Sequence, residues 1–436
     1  MLETKLTFTP VAEIRDPVHG YIGITAVERE LIDSPFVQRL RRIHQLAGAY
    51  LVYPGATHTR FEHVVGTMHI AGLIAESLAR ASDMDADQIQ EVRIAALLHD
   101  VGHGPFSHMY EEVLSGRNER SHEEISQQVI LQSSIKDILN KNGFSPKEMA
   151  ELAVGGQKSR PPFMNEIIAG SLSADMMDYL PRDSHFTGVE YGKVDAQRVI
   201  NSLHVAEGRL VIDDAALYAF EALLLARYEM FKAVYFHRTV RAAELMLVRS
   251  MKLADGALGL TNISNLDRYL ELTDEVVLHN LVTLKPSTSA LKEAGHLALG
   301  FRDRKLVKCA YEKLVQRKER MVGRLFAEER ARIRAVSDIA RAARVDPRLV
   351  YLDVPTTPSV PYTYSNEALT SVGLLKREGN RRIFKAVPID DLPLVGSIAG
   401  FMDIMRVYTT TENRTTVEKA TAELFGDKSY MASIIG

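Results

Sequence analysis

The adjacent pair His99 and Asp100 ends an apolar run at residues 94–98 and constrains this chain more than any other feature. A helix that buries Leu97 and Leu98 has no structural use for an imidazole and a carboxylate at its end, because burying either group without a partner is costly. A divalent cation compensates both groups, since histidine nitrogens and carboxylate oxygens are good ligands for Zn, Mn or Fe. The pair therefore predicts a metal site.

Two neighbouring ligands cannot fill a coordination sphere, so the prediction requires further histidine or aspartate side chains. Upstream, His63 lies where a long helical pattern begins. Downstream, Asp175 lies near the end of a helical run at residues 163–179, and Asp178 shares its helix face because it follows three positions later. We expect these segments to meet around one ion.

Short motifs in the first half of the chain extend this pattern. They are Asp-Pro-Val-His-Gly at residues 16–20, Asp-Ser-Pro-Phe at 33–36, Tyr-Pro-Gly-Ala at 53–56, Arg-Phe-Glu-His at 60–63 and the histidine-rich run at 97–108. Together they resemble the HD superfamily of metal-dependent phosphohydrolases, and within it the deoxynucleoside triphosphate triphosphohydrolases. The likeness is densest between Ile14 and Asp195.

Composition limits the compartment and the partners. With 436 residues, 46% of them hydrophobic and 25% charged, the chain is expected to form two or three domains. The single Cys309 fits a reducing compartment, and no apolar run approaches the roughly 20 residues that span a bilayer. We therefore expect a cytoplasmic protein without membrane contact. A net charge of −3 argues against nucleic acid as a partner.

The apolar periodicity is mostly helical. With the resemblance, it predicts a mainly α fold that has an HD-domain helical core, short β-hairpins and a small α+β C-terminal region. The predicted parts are an HD phosphohydrolase catalytic domain at 1–255, a helical region with regulatory or oligomer contacts at 256–345 and the α+β region at 346–436. Continuous helices are predicted over residues 27–42, 122–140 and 163–179 and near 392–407, and strands over 209–212 and 382–387.

The resemblance implies a metal centre. One divalent ion, which is Mn, Fe, Zn or Mg, would be held by His63, His99, Asp100 and Asp175. The implied reaction is attack of water on the α-phosphorus of a deoxynucleotide substrate, with release of triphosphate and deoxynucleoside.

Further groups are implied around the phosphates. His108 would protonate the leaving 5′-oxygen, with Glu111 one turn on to hold it. His103 and His122 would stabilise phosphate oxygens, and Arg60 would contact them as well.

On the sugar side, the resemblance assigns Gln45 and Asp183 to the 3′-hydroxyl and Tyr179 to the deoxyribose face. Leu46 would exclude a 2′-hydroxyl by leaving that group neither room nor a partner. Tyr228 is a further sugar contact.

Two phosphate-binding cations of the vertebrate family members are missing. Met176 stands where a lysine follows the metal aspartate, and Asp213 and Asp214 occupy the region of an arginine. Losing two cations weakens the grip on a triphosphate unless others replace them. The replacements that we consider are Lys193, Arg182 and Arg238.

A regulatory site is also implied. Asp33, Gln38 and Arg41 match residues that recognise the guanine of an activating GTP or dGTP, and Arg304 and Lys308 match residues that reach this site from a neighbouring subunit. Activation would then be coupled to a homo-oligomer, either a dimer or a tetramer.

Two alternatives concern single residues. Ala12 stands where the regulatory site has a phosphate-binding lysine, and Asp33 would equally serve as the cap of a helix that starts at Ser34. His19 fits a turn as well as a pocket. The histidines for which we expect structural roles are His44, His58 and His69.

Two alternatives concern the whole protein. The first is an HD enzyme that acts on another phosphoester, such as a nucleoside monophosphate. The second is a catalytically silent sensor of nucleotide or nucleic acid. The complete ligand set and the three additional histidines favour chemistry, because a binder needs no general acid.

Overall fold

The fold is built mainly from helices. A computed structural model describes residues 10–79, 84–114, 120–315, 329–354, 371–378, 381–394 and 403–426. Within these ranges the chain forms 18 α-helices and nine β-strands, so the predicted mainly α fold is confirmed. In the same ranges, no helix combines the length and the apolar character needed to cross a membrane.

The α-helices of the described residues are numbered here in chain order. They are α1 Ala26–Ile32, α2 Pro35–Arg39, α3 Arg60–Ala79, α4 Ala86–Leu98, α5 His108–Leu114, α6 His122–Gln132, α7 Ser134–Lys141, α8 Pro146–Ala153, α9 Pro162–Ile168, α10 Ala174–Thr187, α11 Ala196–Ile200, α12 Leu217–Met230, α13 Arg238–Leu258, α14 Leu266–Glu271, α15 Asp274–Val282, α16 Ser289–Arg302, α17 Glu329–Ala343 and α18 Arg414–Gly426.

The strands form three small sheets. They are β1 Ala12–Asp16, β2 Gly20–Ile24, β3 Leu203–Ala206, β4 Arg209–Asp213, β5 Lys308–Val315, β6 Tyr351–Asp353, β7 Ser371–Glu378, β8 Arg381–Pro388 and β9 Asp403–Thr409. The strand orders are β1-β2, β3-β4-β7-β8 and β5-β9-β6, and every pairing is antiparallel except that of β4 with β7. The predicted strands at 209–212 and 382–387 correspond to β4 and β8.

Three long helices form the centre of the catalytic part. α3 buries residues around its whole circumference, among them Val64, Met68 and Ile74, and α4 does the same. Helices of this kind belong inside a fold. α3 packs against both α4 and α10, so three segments that are far apart in sequence meet there.

Side-chain caps set where these helices begin. Asp85 accepts a hydrogen bond from the backbone of Gln88, whose side chain returns one to the backbone of Asp85. Ser173 accepts from the backbone of Met176 and starts α10. Such caps satisfy backbone donors that have no partner within the helix.

Two of the continuous helices predicted from the sequence are interrupted. The helix predicted over 27–42 breaks at Asp33, and Pro35 opens α2. The helix predicted over 122–140 breaks at Ser133, which caps α7. Both predictions were wrong for one reason: apolar periodicity continues across a break that a proline or a capping serine imposes.

The helix predicted over 163–179 is also two helices. α9 ends at Ile168, and α10 begins after Ser173. Asp175 therefore lies in the first turn of a helix and not at its end, which corrects its predicted position. Its carboxylate is favoured there by the positive end of the helix dipole.

The helix predicted near 392–407 was wrong in its last part, although residues 393–394 are helical. Residues 395–402 lie outside the described ranges, and Asp403–Thr409 form β9, the middle strand of its sheet. Met405, Val407 and Tyr408 are fully buried. A strand buried on both faces has a continuous apolar pattern that resembles a buried helix.

Sheets cross the predicted domain boundaries. β4, in the predicted catalytic domain at 1–255, pairs with β7 of the C-terminal region. β5, in the predicted helical region at 256–345, pairs with β9 of the C-terminal region. The C-terminal residues thus contribute strands to both of the other parts. The divisions at 255 and 345 remain predictions.

Candidate active site

Four predicted metal ligands converge where α3, α4 and α10 meet. His63 lies in the first turn of α3, His99 caps the end of α4 and is followed by Asp100, and Asp175 lies in the first turn of α10. These four residues are named the metal cluster below.

Ligand atoms of His63, His99 and Asp175 all lie within 4.8 Å of one another, which suits a single cation, and Asp100 borders this group. Asp175 Oδ1 lies 3.1 Å from His63 Nε2 and 3.8 Å from His99 Nε2. Asp100 Oδ2 lies 3.7 Å from His63 Nε2, and Asp100 Oδ1 lies 3.3 Å from His99 Nε2. Two imidazoles and two carboxylates are a donor set that Zn, Mn and Fe accept.

His99 carries the clearest sign of a missing partner. Its Nδ1 donates a hydrogen bond of 2.7 Å to the carbonyl of Ala96, which leaves the Nε2 lone pair directed at the other ligands. That Nε2 is buried and has no hydrogen-bond partner. A buried polar atom without a partner requires an explanation, and a metal ion at this position supplies one.

Asp178 orients His63, a role that the sequence did not reveal. His63 Nδ1 donates to Asp178 Oδ2 at 2.8 Å, and His19 Nε2 donates to Asp178 Oδ1 at 2.6 Å. Although burial opposes it, contact with Asp175 and Asp178 raises the pKa of His63 to about 10. A carboxylate behind a ligating imidazole fixes its orientation and increases its basicity. His19 thus belongs to this pocket.

Arg182 holds Asp178 in place and is therefore not free to bind a phosphate group. Its guanidinium is fully buried and donates to Asp178, and it donates to Asp16 Oδ2 at 2.8 Å. Despite burial, Arg182 holds the pKa of Asp178 well below its usual range. A Cβ atom at Gly66 would lie 1.9 Å from Asp178 Oδ1, so only glycine lets α3 approach this pair. The structure therefore contradicts Arg182 as a replacement cation.

Three further histidines stand beside the metal cluster and are named the histidine group: His103, His108 and His122. His103 Nε2 lies 3.3 Å from Asp100 Oδ1, and the rings of His103 and His122 stack with centroids 4.0 Å apart. The His108 ring is set edge-on to His103 at 5.2 Å. The predicted grouping of these residues agrees with the geometry.

Glu111 organises the histidine group. It accepts from His108 Nδ1 at 2.9 Å and from His122 Nδ1 in a shorter contact. Although burial opposes these shifts, the contacts lower the pKa of Glu111 and raise that of His122. Burial lowers the pKa of His103 well below its usual value, and Arg60 adds to the effect. The site thus combines a neutral imidazole with one that favours the charged form.

Arg60 lies between the metal cluster and the histidine group. It forms an ion pair with Asp100, and its Nε donates to Ser107 Oγ at 2.7 Å. Its side chain is buried. Arg60 therefore orients a metal ligand, and contact with a phosphate remains a prediction.

Two of the residues that were predicted to contact the sugar, Asp183 and Tyr179, both lie near Tyr235. Asp183 accepts from His58 Nε2 at 2.7 Å and from Tyr235 at 2.6 Å, and Tyr179 lies between His63 and Tyr235 at ring distances of 6.5 Å. His58 thus contacts a predicted sugar residue, and its structural role remains a prediction.

Three other predicted sugar contacts differ in their surroundings. Gln45 Oε1 is buried without a hydrogen-bond partner, and Leu46 is half-buried against the core. The hydroxyl of Tyr228 accepts from Lys232, and no contact of Tyr228 with Asp183 or Tyr179 is seen among the described residues.

Tyr235 and Arg227 are site residues that the sequence analysis missed. Residues Phe231–Tyr235 form a π-helical turn after α12, and such a turn changes which side chains face the site. Arg227 lies against Met176, with 3.9 Å between nitrogen and sulfur, and opposes the burial that raises the pKa of Tyr179 to about 12. A cation from α12 thus stands beside the position where the expected lysine is absent.

The other cations considered as replacements lie at the surface. Lys193 pairs with Glu190, and Arg238 is exposed at the start of α13. Asp213 caps the turn before α12, and Asp214 is exposed.

The residues predicted to bind an activating nucleotide lie on the surface. Asp33 is exposed at the end of α1, Gln38 donates to the carbonyl of Ile32, and Arg41 donates to Gln38 Oε1 at 3.0 Å. Ser34, and not Asp33, occupies the cap position of α2, which corrects the capping alternative.

The two residues expected to act from a neighbouring subunit are also exposed. Arg304 donates to the carbonyl of Leu51 at 2.7 Å, and Lys308 begins β5. His44 is structural, as expected, because it binds Asp274 through both its backbone and its ring.

Family comparisons agree with this geometry. The family model described as HD domain matches residues 60–180, and the model described as HD associated region matches residues 194–373. The first range contains the whole metal cluster and the histidine group. The chain belongs to the HD-domain superfamily of metal-dependent phosphohydrolases, as the sequence motifs predicted.

Individual relatives extend the comparison. An uncharacterised protein of Methanocaldococcus jannaschii is 39% identical over 260 residues, which are 58% of this chain and 52% of that protein. The deoxynucleoside triphosphate triphosphohydrolase SAMHD1 of Gallus gallus is 30% identical over 328 residues, 64% of this chain and 53% of that protein. The chain thus spans about half the length of these curated relatives.

A solved structure matches nearly the whole chain. The crystal structure of a hypothetical protein from Aquifex aeolicus is 30% identical in sequence and superposes with a TM-score of 0.73. The match covers 94% of this chain and 99% of that one. The fold is therefore shared well beyond the catalytic helices.

Proposed function

We propose that this protein is a metal-dependent phosphohydrolase that converts deoxynucleoside triphosphates to deoxynucleosides and triphosphate. The observation that carries the proposal is the metal cluster, with its buried and unpartnered His99 Nε2, directly beside a histidine group tied to Glu111. A binding protein needs no imidazoles poised for proton transfer. The activity for which the Gallus gallus relative is named, deoxynucleoside triphosphate triphosphohydrolysis, supports the choice of substrate.

The metal cluster would hold one divalent ion, which is Mn, Fe, Zn or Mg. When bound, the ion supplies Lewis-acid chemistry that neutralises phosphoryl oxygens and lowers the pKa of a nearby water molecule. Asp178 keeps His63 oriented for this task, and the Ala96 carbonyl does the same for His99.

We assign the general acid to His108. Its side chain is 73% exposed, so a substrate oxygen can reach it, and Glu111 orients the ring by accepting a hydrogen bond from Nδ1. The opposite ring nitrogen is then free to donate a proton to the leaving 5′-oxygen, which is a poor leaving group when unprotonated.

Phosphate oxygens would be bound by His103, His122, Arg60 and Arg227. His122 carries the favoured charge, and His103 Nδ1 is buried without a partner. Arg227 offers the positive charge that Met176 cannot. These contacts would stabilise charge as the bond to the sugar oxygen breaks.

The sugar would lie near Gln45, Leu46 and Tyr179. The unpartnered Gln45 Oε1 suits a 3′-hydroxyl donor, and the apolar Leu46 offers nothing to a 2′-hydroxyl. We extend the proposal to activation by GTP or dGTP at Asp33, Gln38 and Arg41, coupled to a homo-oligomer through Arg304 and Lys308.

The test uses the full chain, freed of metal and reloaded with Mn²⁺. The chain is incubated with each dNTP, with and without GTP, and the products are separated by ion-exchange chromatography. The expected products are triphosphate and deoxynucleoside, with faster turnover when GTP is present. The Asp100→Ala variant is expected to lose bound metal and turnover together, because it removes a ligand.

Products other than triphosphate and deoxynucleoside would contradict the proposed reaction. Orthophosphate or pyrophosphate would contradict attack at the α-phosphorus and indicate an enzyme of another phosphoester. No turnover with Mn²⁺, Fe²⁺, Zn²⁺ or Mg²⁺, with or without GTP, would contradict the enzyme and indicate a sensor.

A further inference from the structure

The loop between α4 and α5 carries His103 in an unusual backbone conformation. Phe106 has φ of 60° and Ser107 has φ of 56°, both in the left-handed region. A residue with a β-carbon adopts this conformation at a cost in free energy, and it persists only where the surroundings hold the backbone in place. Something outside the loop must therefore hold it.

Besides Ser126, three side chains from α2, α14 and α15 bind the backbone of this loop. Tyr269 donates to the carbonyl of Gly102 at 2.7 Å, and Arg39 donates to the carbonyl of His103 at 2.7 Å. The carboxylate of Asp274 accepts from the backbone N–H of Phe106 at 2.6 Å. All three contacts reach main-chain atoms, so their effect does not depend on the loop side chains.

Arg39 connects this loop to the segment that carries the other two residues. Besides the carbonyl of His103, it donates through Nε and a second nitrogen to the carbonyl of Leu272, at 3.1 and 2.6 Å. Its guanidinium also lies over the ring of Tyr269, 4.5 Å from the centroid. One side chain thus joins α2, the loop and the segment between α14 and α15.

Burying the guanidinium of Arg39 costs free energy. The side chain is 0% exposed, and among the described residues its donors go to carbonyl oxygens instead of carboxylates. Burial accordingly lowers the pKa of Arg39. Burying a cation whose hydrogen bonds go to carbonyls is costly, and the nearby carboxylate of Asp274 only partly opposes the effect of burial.

We propose that Arg39 is a positioning residue that holds the loop so that His103 faces Asp100 and stacks on His122. The inference rests on the proposed hydrolase function. Movement of the loop would shift His103 Nε2 from its place 3.3 Å from Asp100 Oδ1. Only the planar fork of an arginine satisfies two carbonyls in different directions, so lysine cannot replace it.

The experiment compares Arg39→Lys with a matched control, Arg93→Lys. Arg93 is likewise buried, but its hydrogen bonds to Glu28 and to the carbonyl of Gly23 reach residues outside the loop. In Arg39→Lys we expect kcat for dNTP hydrolysis with Mn²⁺ to fall about 100-fold, KM to change less than about threefold and bound metal to stay at the wild-type level. The control should keep its kcat.

A second readout needs no activity. Hydrogen exchange followed by mass spectrometry should show faster exchange in peptides that contain Phe106 in Arg39→Lys, and no change there in the control. Should Arg39→Lys fail to fold, Tyr269→Phe removes a hydroxyl that binds the Gly102 carbonyl and interacts with Arg39, and it should accelerate exchange in the same peptides to a smaller extent.

The outcomes separate the inference from the proposed function. Unchanged exchange around Phe106, or a kcat that falls no further than in Arg93→Lys, would overturn the positioning role. A wild-type protein that hydrolyses no nucleotide would overturn the proposed function, while the exchange measurement would still decide whether Arg39 holds the loop.

Discussion

At the scale of single residues, the predicted metal ligands depend on neighbouring groups that orient them. His63 is useful as a ligand because Asp178 holds its Nδ1, and Asp178 is in turn held by His19 and Arg182. His108 similarly depends on Glu111. Both arrangements orient an imidazole through the nitrogen that faces away from the reaction.

The first prediction concerns Asp178. Asp178→Asn keeps the size of the side chain but removes the charge behind His63, and we expect metal affinity to fall about 10- to 100-fold. The measurement is competition with a chelator, followed by elemental analysis. Asp255→Asn is the control, because Asp255 is a buried aspartate that accepts from Thr261. Equal metal affinity in both variants would contradict the role of Asp178.

The second prediction concerns His108. His108→Ala should retain the metal and lose turnover by about 100-fold or more, because general acids contribute in this range. The side chain is 73% exposed, so thermal stability should change little. Metal content, melting temperature and kcat are measured on one preparation. Normal turnover would show that another group protonates the leaving oxygen.

At the scale of elements, a buried charge network joins α13 to β6. Arg241 pairs with Asp353 at 2.8 Å and with Glu244 at 2.6 Å, so two carboxylates share one guanidinium. Burial raises the pKa of Glu244 to about 7 even though Arg241 opposes the shift. The folded protein therefore binds a proton at Glu244 more tightly than the unfolded chain does.

The third prediction follows from the raised pKa of Glu244 in the folded protein. Because the pKa of Glu244 is higher in the folded state, its stabilising effect is complete below pH 4.5 and is lost as the pH rises through 7. Relative to Glu244→Gln, the free energy of unfolding of the wild type should fall by about 2 kcal/mol between pH 5 and 8. Chemical denaturation at both pH values tests this expectation, and parallel pH dependence of the two proteins would contradict it.

At the scale of the whole molecule, the metal cluster joins segments that are far apart in the chain. His63 lies in α3, Asp100 follows the end of α4, and Asp175 lies in α10, and α3 packs against both of the other helices. The ion would therefore bind only the folded protein, and its binding free energy would add to the stability of the fold.

The fourth prediction is the response to metal removal. Saturation at about 100 times the dissociation constant contributes about 2.7 kcal/mol, so chelation should lower the melting temperature of a chain of this length by about 3 °C. Added Mn²⁺ should restore it in a concentration-dependent way. Asp175→Asn, which lacks one ligand, should respond much less, and an equal response in this variant would place the ion elsewhere.

The metal cluster was largely predictable, because its ligands interrupt apolar helical patterns where a buried polar group requires a partner. Asp175 was predicted as a ligand although its helix was predicted to end there and instead begins there. Tyr235 was missed because a π-helical turn has no pattern in the sequence that distinguishes it from an α-helix. β9 was missed because a strand buried on both faces resembles a buried helix.

The sequence alone determined the class of fold and the chemistry of the ligands, since both depend on residue types at short spacing. Only the tertiary structure decided which groups orient those ligands. Asp178 behind His63, Arg227 beside Met176 and Arg39 on the loop carbonyl are contacts between distant segments. Such contacts leave no periodic trace, because they depend on how helices pack and not on the spacing within any one of them.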